Sequence, residues 1–363
     1  MSHGNRLVLV TGAGGFIGSR VVERLRMALG DSGVRALVHR PAGAVQVSRY
    51  GIEIHTGEMT DERLVGRVVE GASAVVHCAY DPVNSANNSK GADTLARACI
   101  QFGVENLVHL SSLSVYEPLG DQLVTESSDT VASGWTYPDT KLEVEQRFLR
   151  WHEQEGLPVV ILQPTMVYGP FSGTWTEAVA RQLRRFRVVL PGDGSGLCHP
   201  VFIDDAVDAI MRALAKESLG GRRFLITGTE PVTWRDFYGA YEAALGTHSV
   251  EYWPIEELQA RVQKPVSAVG IKTAIRDPAR VLQRAAPNWA RGYAIRRIPR
   301  VSSWIQRSLP VSYRIPDAHQ LALYTSKAHV SGEAARLGLG YVPKTAFSDG
   351  IAISAEYLRW ANL

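Results

Sequence analysis

Tyr137 and Lys141 are separated by Pro138-Asp139-Thr140, so on a helix the phenol and the ammonium share one face a turn apart. A cation beside a phenol favours the phenolate and draws its pKa toward working pH, which makes the tyrosine usable as an acid or base. Upstream, Ser111-Ser112-Leu113-Ser114-Val115-Tyr116 follows the apolar run 107–110. If that run is a strand, the Ser112 hydroxyl lies at the carboxyl edge of a sheet, where open α/β sheets bind ligands. A single Tyr-x-x-x-Lys describes many exposed helical pairs. Joined to a hydroxyl in this chain order, it describes proton transfer at an alcohol or ketone.

Thr11-Gly12-Ala13-Gly14-Gly15-Phe16-Ile17-Gly18 directly follows the apolar run 7–10 and opens the amphipathic segment 16–29. Gly12 would make the tight turn, Gly15 would let the main chain approach a pyrophosphate, and Gly18 would let helix and strand pack closely. Free N–H groups at the helix start would face the anion. With a strand before and a helix after, the glycines read as a dinucleotide loop rather than a flexible turn. Beyond Gly18 by 21 residues stands His39, then Arg40, with no carboxylate at either place. An acid there would hold the ribose 2′-hydroxyl of NAD, whereas an arginine suits the 2′-phosphate of NADP, so NADP is favoured over NAD. Glu58 is placed to accept from an adenine amino group.

These residues need a scaffold, and the chain spells one. Short runs rich in Val, Ile and Leu at 7–10, 34–38, 52–55, 74–77, 107–110 and 159–162 alternate with helix-like segments. That alternation predicts a doubly wound parallel α/β sheet. Past Pro164 the pattern loosens. A strand is expected at 200–203, a helix at 204–215 and a strand at 224–227 that revisits the sheet. The expected division is a dinucleotide-binding unit of residues 1–165 plus about 198–228, and a smaller, mixed substrate-binding unit of 166–197 and 229–363. Asp204-Asp205, at a strand–helix junction, reads as a capping pair.

Composition narrows the class. With 363 residues, 45% hydrophobic and 21% charged, the chain is neither disordered nor collagen-like. No run approaches the ~18–20 apolar residues of a membrane-spanning helix, and the apolar run 7–10 is too short for a secretory signal. Cys78, Cys99 and Cys198 are too few and too widely spaced for a disulfide framework or zinc cluster, which suggests a reducing, cytoplasmic setting. His77 and His199 lack partners at metal-binding spacing, so no metal is expected. No nucleic-acid partner is expected either. Net charge is +3, but 261–314 holds twelve Lys/Arg against Asp277 alone. This basic insertion, 261–315, admits three readings: a lid clamping an anionic substrate, a peripheral contact with anionic membrane through 291–314 with Trp304 and Ile305 embedded, or a solvated helical face.

In order along the chain, TGAGGFIG, VVHCAY, SSLSVY, YPDTK, PTMVYGP, PGDGSG, VFIDDAVDAI and LGLGYVP resemble the extended short-chain dehydrogenase/reductases of the NAD(P)-dependent epimerase/dehydratase type. The resemblance implies a Rossmann sheet with Tyr137 as acid/base, Lys141 on the nicotinamide ribose and Ser112 on the reacting oxygen. It implies cofactor contacts from Gly12, Gly15, Phe16, Ile17, Gly18, His39, Arg40, Glu58, Met59, Ala79, Tyr80, Lys141, Pro164 and Val167. Asn88 matches a position that braces the sheet near the site. A homodimer is implied through the helices at 91–102 and 137–154, which carry Leu95, Ala98, Phe148 and Trp151.

Departures from the pattern are informative. Dehydratases of this family carry Asp-Glu where Leu113-Ser114 stands, and without carboxylates the elimination of water lacks its acid and base. Epimerases usually have Asn at Met166 and often Arg at Cys198. Ser114, Met166, Cys198, His199 and Arg314 are the candidate substrate contacts. The leading expectation is an oxidoreductase or epimerase acting on a secondary alcohol or ketone of a nucleotide-activated sugar. The alternatives are an NADPH-dependent reductase of a hydrophobic, sterol- or polyketide-like alcohol, and a cofactor-binding scaffold without catalysis.

Overall fold

In the computed structural model, which describes residues 7–216, 219–263 and 312–363, the first strand already shows why helices must cover both faces of the sheet. In β1 (Val8–Thr11) every residue is buried; Val8 and Val10 join one apolar core while Leu9 joins the other. Successive strand side chains leave opposite faces, so a strand buried throughout must be covered on both sides. The chain continues through α1 (Phe16–Leu29), β2 (Val34–Val38), β3 (Glu53–Thr56), α2 (Glu62–Val69), β4 (Ala74–His77), α3 (Ser85–Gln101) and β5 (Asn106–Leu110). After β6 (Leu123–Val124) come α4 (Thr136–Glu155) and β7 (Val159–Pro164).

Six of these strands and a later one, β12, form a seven-stranded sheet ordered β3-β2-β1-β4-β5-β7-β12, with every pairing parallel. Between them run β8 (Met166–Tyr168), α5 (Ala178–Arg185), β9 (Arg187–Pro191), β10 (Leu197–Cys198), β11 (Pro200–Phe202) and α6 (Ile203–Ala215), before β12 (Arg223–Ile226) returns to the sheet beside β7. Val21, Val22 and Leu25 of α1 and Ala206, Val207 and Ile210 of α6 fill one core. Leu64, Val65 and Val68 of α2, Leu95 of α3 and Phe148 of α4 fill the other. Strand order reverses between β1 and β4, and the crevice at their carboxyl ends is where such sheets take ligands. The expected revisit of the sheet therefore occurs, at 223–226. The strand expected at 200–203 stops at Phe202 and pairs with β8, outside the main sheet.

The remainder is β13 (Val232–Thr233), α7 (Trp234–Leu245), β14 (Val250–Trp253), α8 (Ile255–Gln263), β15 (Tyr313–Arg314), α9 (Ala318–Thr325), β16 (His329–Val330), α10 (Glu333–Leu339) and α11 (Phe347–Trp360). Small sheets β14-β9-β15, β10-β13, β11-β8 and β16-β6 stitch this smaller region together. Most of the basic insertion, with the amphipathic run 301–309, lies outside the described residues. Among the described residues no helix is long and apolar enough to cross a membrane.

One expectation is corrected here. Asp204 and Asp205 do not cap α6, whose N-cap is Phe202 without a side-chain bond. Asp204 instead grips Arg20 of α1 at 2.6 and 2.9 Å, while buried Asp205 accepts the Lys344 and Thr345 N–H groups, each at 3.0 Å. Leu95, Ala98 and Phe148 are buried within the chain's own core, and Trp151 packs partly buried against it. Replacing Asp205 by Ala strands two backbone donors and should cost about 2 kcal/mol. Asp204→Ala removes a half-exposed ion pair worth about 0–1 kcal/mol. Urea denaturation of the two variants checks that order; equal losses would refute it.

Candidate active site

The glycine loop is shaped by close backbone approaches. Gly12 has φ +66°, and a Cβ there would fall 2.6 Å from the Ala79 nitrogen in the segment after β4. A Cβ on Gly18 would lie 2.3 Å from the Gly12 oxygen. Gly14, which the spacing did not single out, meets the Gly43 oxygen, at 2.4 Å from an added Cβ. Gly15 differs: it is exposed at the N-cap of α1, and a Cβ would approach only the Gly12 oxygen of its own loop, at 3.2 Å. The outward side of Gly15 is thus open, next to helix N–H groups that have no intrahelical partner. Phe16 and Ile17 begin the helix there, half-buried against the core. This cradle fits the pyrophosphate of a dinucleotide.

Around the crevice, His39 and Arg40 are exposed at the end of β2, and the His39 Nε2 is 3.5 Å from the Glu58 carboxylate. Met59, Ala79 and Tyr80 are half-buried on the rim, while Pro164 and Val167 are buried at the end of β7 and in β8. Asn88 of α3 accepts the Asp81 N–H at 2.8 Å and donates to the Asp81 carbonyl at 2.9 Å, so it clamps the loop after β4.

The chemistry-bearing cluster forms where β5 ends and α4 begins. Asp139 in the first turn of α4 accepts from the Ser133 and Gly134 N–H groups at 2.7 and 3.0 Å, which fixes the approach to the helix. Tyr137 follows, with 41% of its surface open to the crevice. One turn on, Lys141 is 8% exposed and donates to the Leu110 carbonyl at 2.9 Å, its Nζ standing 5.2 Å over the Tyr80 ring. The Tyr80 and Tyr137 rings meet edge to face at 5.2 Å. Ser112, just past β5, accepts from the Ser114 N–H at 3.2 Å, and its hydroxyl lies near enough to the Tyr137 phenol to lower its pKa. Ser112, Tyr137, Lys141 and Tyr80 are therefore brought together.

Protonation differs from the sequence expectation. Burial of the surroundings raises the Tyr137 pKa; Ser112 lowers it, and Tyr80 and Glu117 raise it further. Lys141, whose ammonium donates to the Leu110 carbonyl, is not among the influences on it. Burial lowers Lys141 itself to about 8, against the opposing pull of Cys78 and Glu145. Burial likewise pushes the Cys78 thiol up to about 12.

Beneath the cluster lies a polar floor that sequence reading missed. Glu145 of α4, buried at 1%, accepts from the Ser111 hydroxyl at 2.6 Å and from Gln163 Nε2 at 3.0 Å to each carboxylate oxygen. Tyr116 donates to Gln163 Oε1 at 2.9 Å, and Arg223 of β12 is 3.5 Å from Glu145. Burial raises the Glu145 pKa despite these partners. Two signals pointed there: Glu145 is four residues beyond Lys141, and Gln163 interrupts the apolar run of β7. Glu117 and His319, bonded at 2.5 Å beside the site, lie 202 residues apart, and no local pattern links them.

Other candidates scatter. Ser114 is buried near Ser112 with its hydroxyl unpartnered. Met166 and Cys198 are buried in β8 and β10, and His199 is bonded to the Ala328 carbonyl at 2.8 Å. Arg314 is exposed on β15, its charge felt by the bonded Tyr238–Tyr324 pair rather than by Tyr137. Among the described residues no cluster could hold a metal.

Comparison with known proteins places this geometry in context. The model described as the NAD dependent epimerase/dehydratase family matches residues 8–227. A 2-alkyl-3-oxoalkanoate reductase of Stenotrophomonas maltophilia is 27% identical over 365 residues, 95% of this chain and 97% of that protein. A UDP-glucose 4-epimerase of Mycolicibacterium smegmatis is 31% identical over 268 residues, covering 66% of this chain and 82% of the relative. A similar fold is seen in the crystal structure of DesIV, a dTDP-glucose 4,6-dehydratase from Streptomyces venezuelae with NAD and TYD bound. Its TM-score is 0.70 at 22% identity, with 97% of each chain covered.

The buried ammonium of Lys141 sets a pH dependence of stability. Below pH 8 both folded and unfolded chains carry the charge, and the folded chain bears the full cost of desolvating it. Between 8 and the ordinary lysine value of 10.5 the unfolded chain binds more protons, so stability rises with pH. Relative to Lys141→Met, the wild-type protein should gain about 2 kcal/mol from pH 7 to pH 10. Urea unfolding at both pH values measures it, and a constant difference between the two proteins would disprove the burial.

Proposed function

The chain belongs to the NAD dependent epimerase/dehydratase family, and from that premise we propose that it reduces the ketone of an alkyl-bearing 3-oxo substrate, or oxidises the corresponding secondary alcohol, with NADP(H). The observation that carries this reading is the gathering of Ser112, just past β5 at the sheet's carboxyl edge, with Tyr137 and Lys141 of α4. The relative that matches almost end to end is named a 2-alkyl-3-oxoalkanoate reductase, which supports the substrate class.

A bound nicotinamide dinucleotide supplies the hydride for the carbonyl carbon. The chain does the rest. Ser112 donates a hydrogen bond to the ketone oxygen and fixes its position over Tyr137. Tyr137 gives its phenolic proton to that oxygen as charge develops there, and the phenolate recovers a proton from water. Lys141 holds the ribose side of the crevice, the Gly15 edge and the α1 N–H groups take the pyrophosphate, and Arg40 takes a 2′-phosphate. Glu58, Met59, Ala79, Tyr80, Pro164 and Val167 line the rest of the cofactor trough. Leu113 and Ser114 supply no carboxylate, so this reading excludes loss of water from a sugar.

A second reading keeps the same residues and gives them a nucleotide sugar. It is favoured by the 31% identity to a UDP-glucose 4-epimerase. An epimerase retains its dinucleotide through turnover, whereas a reductase releases it, so mass spectrometry of the protein as purified separates them. Retained NAD would reject the reductase reading. A pairing of two copies through α3 and α4 would rest on the polar groups Lys90, Asp93, Glu143 and Arg147, and a monomer in light scattering would rule it out.

Tyr137→Phe should lower NADPH-dependent reduction of a 2-alkyl-3-oxoalkanoate by about 10²–10⁴-fold while NADPH affinity is kept. Retained turnover would reject the proton-transfer role, and lost turnover would reject a non-catalytic scaffold. Arg40→Ala should weaken NADPH binding by about tenfold, leaving NADH binding unchanged, as read by fluorescence titration.

A further inference from the structure

The glycine loop and the stretch after β2 touch backbone to backbone. Ala13 donates its N–H to the Leu37 carbonyl of β2 at 3.2 Å, and the next residue, Gly14, lies against Gly43. A Cβ added at Gly14 would fall 2.4 Å from the Gly43 oxygen and 2.8 Å from both its carbonyl carbon and its Cα. All three are main-chain atoms, so no side chain can swing aside to make room. The reverse does not hold. A Cβ on Gly43 would meet the Gly14 Cα and the Val38 Cβ at 3.7 Å, an ordinary contact.

Gly43 belongs to the turn that carries Arg40. Its N–H is bonded to the Arg40 carbonyl at 2.9 Å, and Pro41 holds Arg40 in an extended conformation, φ −136° and ψ 154°. At the far end of the turn, Val47 donates to the Ala44 carbonyl at 3.0 Å and is buried in the core that α1 also fills. Arg40 is exposed and, among the described residues, pairs with no carboxylate, whereas His39 beside it faces Glu58 at 3.5 Å. A guanidinium open to a ligand thus stands on a turn pinned at both ends.

We infer that the Gly14–Gly43 contact sets the spacing between two anion sites, the pyrophosphate loop and Arg40, and so tunes the preference for a dinucleotide that carries a 2′-phosphate. This rests on the roles proposed above for the glycine loop and Arg40, and adds the residue that couples them. In NADP the pyrophosphate and the 2′-phosphate are joined through one ribose, so both sites fill only when they stand at the matching separation. NAD has no second phosphate and is indifferent to that separation. An alanine at position 14 would regain ordinary contact only by pushing the turn outward by about 1 Å. Charge-assisted bonds from a guanidinium to a phosphate are directional, and a displacement of that size weakens them.

Fluorescence titration of the full-length protein with NADPH and with NADH gives the ratio of the two affinities. In Gly14→Ala the preference for NADPH should fall by about three- to tenfold, and by no more than in Arg40→Ala, because the contact acts through that arginine. Adding Gly14→Ala to Arg40→Ala should move the ratio no further. Gly43→Ala, whose methyl finds room, should keep the wild-type ratio. Where Gly14→Ala does not fold, Val47→Ala takes its place: it loosens the buried end of the same turn and should shift the ratio in the same direction. An unchanged ratio in Gly14→Ala, or in Val47→Ala where it stands in, overturns the inference, whether both affinities fall together or neither moves. A further fall in the double variant, or an equal loss in Gly43→Ala, overturns it as well. If Arg40→Ala itself leaves the ratio unchanged, the reading of Arg40 fails instead, so the two failures are distinguishable.

Discussion

An ammonium sealed between a helix and the rim of a sheet organises this site. Lys141 donates to the last carbonyl of β5 with almost no water around it, and a buried amine without such an acceptor would give up its proton more readily still. That bond fixes the rotation of α4 on the sheet. Tyr137 then has to emerge one turn earlier, on the side that faces the crevice. The strand that offers the carbonyl also ends in Ser111 and Ser112, so one strand terminus provides the anchor, a bond to the floor and the hydroxyl beside the phenol. Small displacements of α4 would disturb all three together.

The titration tendencies share one cause. Burial is the largest influence on Lys141, Tyr137, Glu145 and Cys78 alike, and in each it favours the neutral form. The crevice therefore resists charge of either sign except where a hydrogen bond compensates, as the Ser111, Gln163 and Arg223 contacts do for Glu145. Such a surrounding suits a neutral ketone and a proton held ready, and it makes each hydrogen bond within it stronger than the same bond in water.

Much of the scaffold was legible because it depends on neighbours in sequence. Burial on both faces wrote short Val- and Ile-rich runs, and the glycines were demanded by contacts as tight as Gly12 against Ala79. Tyr137 and Lys141 were legible because a helix converts a spacing of four into adjacency. The electrostatics were not. Spacing alone suggested that Lys141 would acidify the phenol, but burial, which spacing does not register, raises its pKa instead. Asp204 and Asp205 looked like caps because their partners Arg20, Lys344 and Thr345 are far away in sequence. Met166, Cys198 and His199, singled out as candidate substrate contacts, are occupied with internal packing and bonds. Long-range pairs such as Glu117 with His319 leave no local trace.

The return of β12 to the edge of the sheet has a temporal side. Arg223, the cation nearest Glu145, arrives on a strand made well after the Rossmann half with which it pairs, and β7 has no neighbour on that flank until then. During synthesis, which proceeds from the N-terminus, a nascent chain emerging only as far as α6 would hold an acid group lacking its counter-charge and an open strand edge apt to recruit other chains. The floor of the crevice is thus finished late in synthesis, and the excursion through β8–α6 is the interval in which that flank of β7 stays open.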